Sequence, residues 1–333
     1  MFIVDNIGLA IAFCIITMLG WGSWANTQKL AGKDHWPFPL YYWDYSFGVF
    51  VCGLLMMVTL GVTGNAGMGS FVNLSQAATE PALRALLSGA VFNVSNILLV
   101  VAIDAAGMSV AFPVGVGLAL VIGTVTSYLQ TPKGNGILLS SGVALVMCAM
   151  VVSAKAYSLL PRTTTRGWTR GVVYAVIAGC LMGFFYPILS KSISPGFGAG
   201  TIQPGYLTPY TALPLFGAGL LISNVAVNTI FMRTGGHTYG EYFKGTPKLH
   251  SLGFLGGLIW MLALSLNIIA SGVAGPAISY ALGQGATLVA AIWGVFIWKE
   301  FSAAPKGTGK FIAAMFFGYA AGLILIGLAT LNG

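Results

Sequence analysis

Pro132-Lys-Gly-Asn-Gly-Ile-Leu-Leu-Ser-Ser-Gly-Val-Ala-Leu-Val-Met-Cys-Ala-Met-Val-Val-Ser-Ala-Lys155 begins as a loop and then runs to Ala154 without a charge. Beyond Ser140 and Ser141 its span offers little that is polar. A helix rises about 1.5 Å per residue, so roughly 20 apolar residues cross a ~30 Å hydrocarbon core. This stretch reads as a membrane span.

The same test, carried outward, finds ten spans near 7–26, 42–62, 84–104, 108–129, 136–155, 170–190, 210–231, 250–270, 274–298 and 310–330. The chain is 57% hydrophobic and 7% charged, against roughly 25% charged in soluble domains. Such a chain cannot cover a water-facing surface. Alternating ten-residue strands, which would mark a barrel, are absent. The four cysteines, Cys14, Cys52, Cys148 and Cys180, lie inside apolar runs without metal spacing and read as small core residues.

The opening pentad recurs. Pro305-Lys-Gly-Thr-Gly309 precedes the tenth span as Pro132-Lys-Gly-Asn-Gly136 precedes the fifth, each after two spans joined by a very short Gly-marked loop. The expected fold is an all-α integral membrane protein of ten helices in two five-helix repeats, 1–160 and 161–333, forming one transmembrane domain. Five is odd, so the second repeat is inverted, a plan common in secondary transporters. Twelve Lys and Arg fall in loops on one side and three (Arg84, Lys133, Lys191) on the other. The net charge of +8 is then topological, not a nucleic-acid footprint. The positive-inside rule places the Pro161–Arg170 connection in the cytoplasm of an inner (plasma) membrane and both termini outside.

Asp44 lies in Trp36-Pro-Phe-Pro-Leu-Tyr-Tyr-Trp-Asp-Tyr-Ser-Phe-Gly48, in a chain with seven acidic residues. It reads either as a helix cap at headgroup depth or as a proton or substrate site facing a cavity. Asp104, in a tight loop, is the second carboxylate of interest, a cap before a site. Elsewhere polarity is uneven. Asn93 and Asn96 share a helical face, as do Asn224 and Asn228. Trp260, Asn267, Tyr280, Gln284 and Thr287 add to the set, while the fifth and tenth spans, whose sizeable polar group is Tyr319, can face lipid. Asparagines can glue helices at about 0.6 kcal/mol each, but a set segregated into some spans points to a polar cavity. Glycines around Trp21 would thin or break the first helix. Trp21, Trp24, Trp43 and Trp260 suit stacking on a sugar or a planar ring, or, for Trp24 and Trp43, an interfacial belt.

No metal or cofactor is expected. His35, His237 and His250 sit in loops or at their edges without ligand spacing. Gly115 to Gly123 lies inside an apolar span and lacks the Lys-Ser/Thr of a phosphate loop. No nucleophile–base pair stands out, so an enzyme is disfavoured. A structural subunit would not need polar spans.

Leu19-Gly-Trp-Gly-Ser-Trp24, Phe38-Pro-Leu-Tyr-Tyr-Trp-Asp-Tyr45 and Gly107-Met-Ser-Val-Ala-Phe-Pro-Val-Gly-Val-Gly-Leu-Ala-Leu-Val-Ile-Gly-Thr124 resemble the drug/metabolite transporter superfamily. The nearest branch in character is the bacterial glucose/ribose uptake, rhamnose symporter and plant ureide permease group. That resemblance implies a ten-helix inverted-repeat carrier with helices 1–4 and 6–9 around a cavity and helices 5 and 10 peripheral. It also implies uptake of small neutral polar solutes, some with protons. The expected activity is import of a pentose or hexose such as ribose or glucose, with a nucleobase or ureide second and a drug or amino-acid exporter as the rival. Expected substrate contacts are Trp21, Trp24, Asn93, Asn96, Asn224, Asn228, Trp260, Tyr280 and Gln284, with Asp44 coupling protons. The expected partners are a small-molecule substrate, protons and the bilayer, with no nucleic acid; monomer and homodimer both stay open.

Overall fold

The computed structural model describes residues 1–160 and 167–331. Residues 161–166, including Arg162 and Arg166 of the charge count, lie outside the described residues. Among the described residues, ten helices long and apolar enough to cross a membrane follow the expected spans. They are α1 Ile7–Lys33, α2 Phe38–Val58, α3 Thr79–Ala106, α4 Pro113–Gln130, α5 Gly136–Ser158, α6 Trp168–Ser192, α7 Pro209–Thr234, α8 Pro247–Ala274, α9 Pro276–Ile297 and α10 Thr308–Leu331.

Their ends follow local chemistry. The Asn6 side chain accepts the Leu9 N–H at the start of α1, and the Asn135 side chain accepts those of Ile137 and Leu138 at the start of α5. Thr208 and Thr211 form a capping box ahead of α7, with Pro209 at its first position. The two shortest connections turn on glycine. Gly107 (φ +81°) separates the helices ending at Ala106 and starting at Met108; Gly275 (φ +86°) separates Ala274 from Pro276. A left-handed residue at the helix end turns the chain back at once, and glycine takes that conformation without a Cβ penalty. In the two pentads the third residue is again left-handed: Gly134 at +82° and Gly307 at +94°.

One expectation needs correction. The first helix does not break at Trp21. It runs through Ile7–Ser23 and resumes at Ala25, and Trp24 between them keeps helical angles and donates its N–H to the Gly20 carbonyl. Tyr319, the sizeable polar group of the tenth span, is buried.

The helices group into two compact units, each drawing on both sequence halves. The first holds Met1–Asn93 and Ile188–Val273. Glycines set its helix contacts. A Cβ on Gly253 would lie 2.6 Å from the Asp44 Cβ, one on Gly257 would strike the Tyr45 carbonyl, and one on Gly48 would strike that of Phe254. So α2 and α8 run backbone to backbone, as small-xxx-small spacing permits in lipid. Likewise Gly53 lies against Pro214 and Gly217 against Phe50, joining α2 to α7; Gly20 lies against Ala263, joining α1 to α8. At one end of this unit Asn73 binds the 206–211 segment: its amide donates to the Tyr206 carbonyl, and its oxygen accepts from the Thr208 N–H and the Thr211 hydroxyl. At the other end, where α1 and α7 finish and α2 and α8 begin, Lys248 pairs with Asp34 at 2.8 Å.

The second unit holds Val94–Pro187 and Ala274–Gly333. Its core includes Leu99, Leu120, Leu139, Val146, Ile278, Tyr319 and Ile326. Here α5 and α10 cross at Gly142 and Gly322, each of which, given a Cβ, would sit within 2.8 Å of the other's carbonyl oxygen. Their other faces expose Ile137, Val151, Phe317 and Ile324.

Candidate functional site

Asp44 is in the second turn of α2 and caps nothing; Pro37 holds the N-cap position. Asp44 is therefore not a helix cap. The residue is 8% exposed, and both carboxylate oxygens have hydrogen-bond partners. The Tyr242 hydroxyl donates to Oδ1 at 2.7 Å, and His250 Nδ1 lies 2.9 Å from Oδ2. Tyr242 belongs to the short helix Tyr239–Phe243, which follows α7. Its hydroxyl is held well above tyrosine's ordinary range, by burial first and then by its bond to Asp44, so it is a neutral donor. His250 is in the first turn of α8. Hydrogen bonds to a charged group contribute about 1.5–3 kcal/mol each.

A second cluster forms around Trp260 of α8. Its ring stacks on Trp21 at 5.9 Å and on Phe216 at 5.9 Å, and meets Phe92 at 4.2 Å. Trp21 Nε1 donates to the Trp260 carbonyl at 3.2 Å. Four helices thus bring aromatic rings to one point. Nearby on α2, Tyr45 packs on Tyr42 at 5.1 Å and on Trp24 at 5.1 Å.

The asparagines supply the polar groups of this unit. Asn93 donates to the Ser223 hydroxyl at 3.0 Å, fixing α3 to α7, while its Oδ1 has no partner among the described residues. Asn228 donates to the Pro39 carbonyl at 2.9 Å, fixing α7 to α2, and its Oδ1 is likewise unpartnered. Asn224 is fully buried, and neither its Oδ1 nor its Nδ2 has a partner among the described residues; the Tyr45 hydroxyl is in the same condition. Leaving such a group unpaired costs about 1–3 kcal/mol, which a protein retains where strain or function holds it.

Of the expected contact residues, the first unit brings together Trp21, Trp24, Asn93, Asn224, Asn228 and Trp260, with Asp44. Asn96, Tyr280 and Gln284 belong to the second. There the Tyr280 ring lies against Gly123, its hydroxyl donating to the carbonyls of Ala119 at 3.3 Å and Met182 at 3.4 Å. The helix containing Tyr280 ends at Gly283 and resumes at Ala286, with Gln284 and Gly285 between them keeping helical angles. Asp104 lies exposed in the last turn of α3. Sequence reasoning missed His250, Tyr242, Phe92 and Phe216. The signal for His250 was its place at the mouth of a span, three residues before a glycine.

Its sequence is similar to that of a permease. Ureide permease 1 of Arabidopsis thaliana is 20% identical over 376 aligned positions, which take in 95% of each chain. One solved structure overlays with a TM-score of 0.55 at 15% identity, covering 96% of this chain and 97% of the other, a likeness of fold. No family model matches. With its ten apolar helices, the chain is a multi-pass membrane protein.

Proposed function

We propose that the chain is a secondary transporter that carries a small, neutral, polar metabolite across the membrane, with Asp44 in the coupling of protons. The observation that carries this reading is the fully buried, unpartnered Asn224 carboxamide in a unit whose helices also converge on Trp260. A carboxamide offers one donor edge and one acceptor edge, and aromatic faces stack on flat rings or on the apolar faces of sugars. Sequence alone ranks a pentose or hexose first. The similarity to a ureide permease moves cyclic ureides and nucleobases ahead of sugars.

A cation exporter fits less well, because it needs a free buried carboxylate and both oxygens of Asp44 are engaged. Orientation follows from charge: Lys29, Lys33, Arg233, Lys244 and Lys248 gather at the Asp44 end of the first unit, which the positive-inside rule assigns to the cytoplasm. Two inverted repeats, 1–160 and 161–333, account for the matched left-handed glycines of the pentads and tight turns.

A thermal-shift screen of detergent-purified protein tests the substrate class. A ligand stabilises the fold by RT ln(1 + [L]/Kd), so millimolar hydantoin, uracil or ribose should raise Tm. A shift confined to cationic drugs would reverse the reading.

A further inference from the structure

Asp44 does not act alone in this structure. Three segments close on it: α2 carries it, the 239–243 helix supplies Tyr242, and α8 supplies His250. Of the ionisable pair, the His250 side chain is 29% exposed and that of Asp44 11%, so the imidazole is the one that water reaches. With Nδ1–H donating to Asp44, the lone pair is on Nε2. That atom faces Gly245, where a Cβ would lie 2.6 Å away; position 245 leaves the nitrogen open because it has no side chain.

We propose that the coupling proton binds His250, at Nε2, and that the Asp44–His250 pair, not Asp44 alone, is the coupling group. Proton binding turns imidazole into imidazolium and takes the pair from a net charge of −1 to zero; the bond to Asp44 is kept. A neutral pair crosses from one conformation to another at lower desolvation cost than a lone carboxylate. Tyr242 links this event to the loop, since its hydroxyl donates to the other oxygen of the same carboxylate. The inference rests on the transport reading above and adds the proton-binding residue to it.

Lys244 precedes Gly245 in the loop, and several other charged and titratable groups near the pair have their own partners. Lys248 of α8 is bound to Asp34 at 2.8 Å. In the loop, Glu241 is bound to His237 at 3.1 Å, and Arg233 of α7 lies over the Tyr239 ring at 5.8 Å. Tyr41 of α2 shares a 2.7 Å bond with Thr27 of α1. The remaining faces of the imidazole are aromatic, with Trp36 at 5.6 Å and Tyr242 at 4.9 Å, both edge-on.

The test is uptake of hydantoin, uracil and ribose into proteoliposomes driven by an acid-outside pH gradient, with probe-for-probe counterflow measured in parallel. Wild type should accumulate at least one probe several-fold. His250→Gln should abolish accumulation yet still exchange the probe, and Gly245→Ala, which keeps all three side chains but crowds Nε2, should slow accumulation several-fold. Accumulation by His250→Gln equal to wild type, with Asp44→Asn inactive, overturns the inference and leaves transport standing. Loss of counterflow as well as accumulation in His250→Gln also overturns it, by making His250 part of the fold or the path. The absence of both accumulation and counterflow in wild type overturns the transport reading, and this inference with it.

Discussion

Asp44 and His250 stand 206 residues apart in the chain and 2.9 Å apart in the structure. Gly253 makes that approach possible: three residues beyond His250, it lets the α8 backbone lie against the Asp44 Cβ. The same crossing continues at Gly257.

Gly257→Ala should therefore destabilise the protein by about 1–3 kcal/mol, the range for overpacking a tight contact. Gly327→Ala in α10, where a Cβ meets nothing within 4 Å, should be neutral or slightly stabilising, because alanine is the better helix former. Thermal unfolding of the two variants in detergent separates them.

Asn224 and Asn228 lie one turn apart and should behave oppositely. Asn228→Leu removes the bond to the Pro39 carbonyl and should cost about 1 kcal/mol. Asn224→Leu has no protein hydrogen bond to lose and should leave stability level or higher while substrate exchange falls at least tenfold. Equal loss of stability in both variants would make Asn224 a structural residue.

Tyr242→Phe deletes the donor that seats the 239–243 helix on Asp44. Trypsin should then cut at Lys244 several-fold faster, with the rest of the chain unaffected. An unchanged cleavage rate would mean that aromatic packing against Trp36 and His250 holds the helix without the hydroxyl.

The Asp34–Lys248 pair is exposed, and the hydrogen bond and charge of Lys248 hold the Asp34 carboxyl below its ordinary range. A depressed carboxyl stabilises above its unfolded range and loses that contribution as pH falls through the folded one. Lys248→Ala should lower Tm slightly at neutral pH, with the deficit vanishing in acid. Salt should shrink it too.

The ten spans, their order and the two glycine turns were legible because each depends on a short window: twenty apolar residues, or one glycine between two helices. The candidate site was legible only in part. Asn93, Asn224, Asn228, Trp21 and Trp260 stood out as polar or aromatic groups within apolar runs. His250 looked like loop chemistry, and nothing local reveals that its partner is on α2. Phe92 and Phe216 were hidden for the opposite reason, being ordinary in spans that are apolar throughout. The expected break at Trp21 failed because α8 packs on Gly20 at Ala263, so that glycine serves a close helix contact in a helix that stays wound.

The most direct measurement is radiolabelled solute counterflow in proteoliposomes, comparing wild type with Asn224→Leu. The account predicts that a neutral cyclic ureide, nucleobase or pentose exchanges well above empty vesicles, and that Asn224→Leu abolishes the exchange while folding normally. Exchange of cationic drugs alone, or none with any neutral solute, would contradict it.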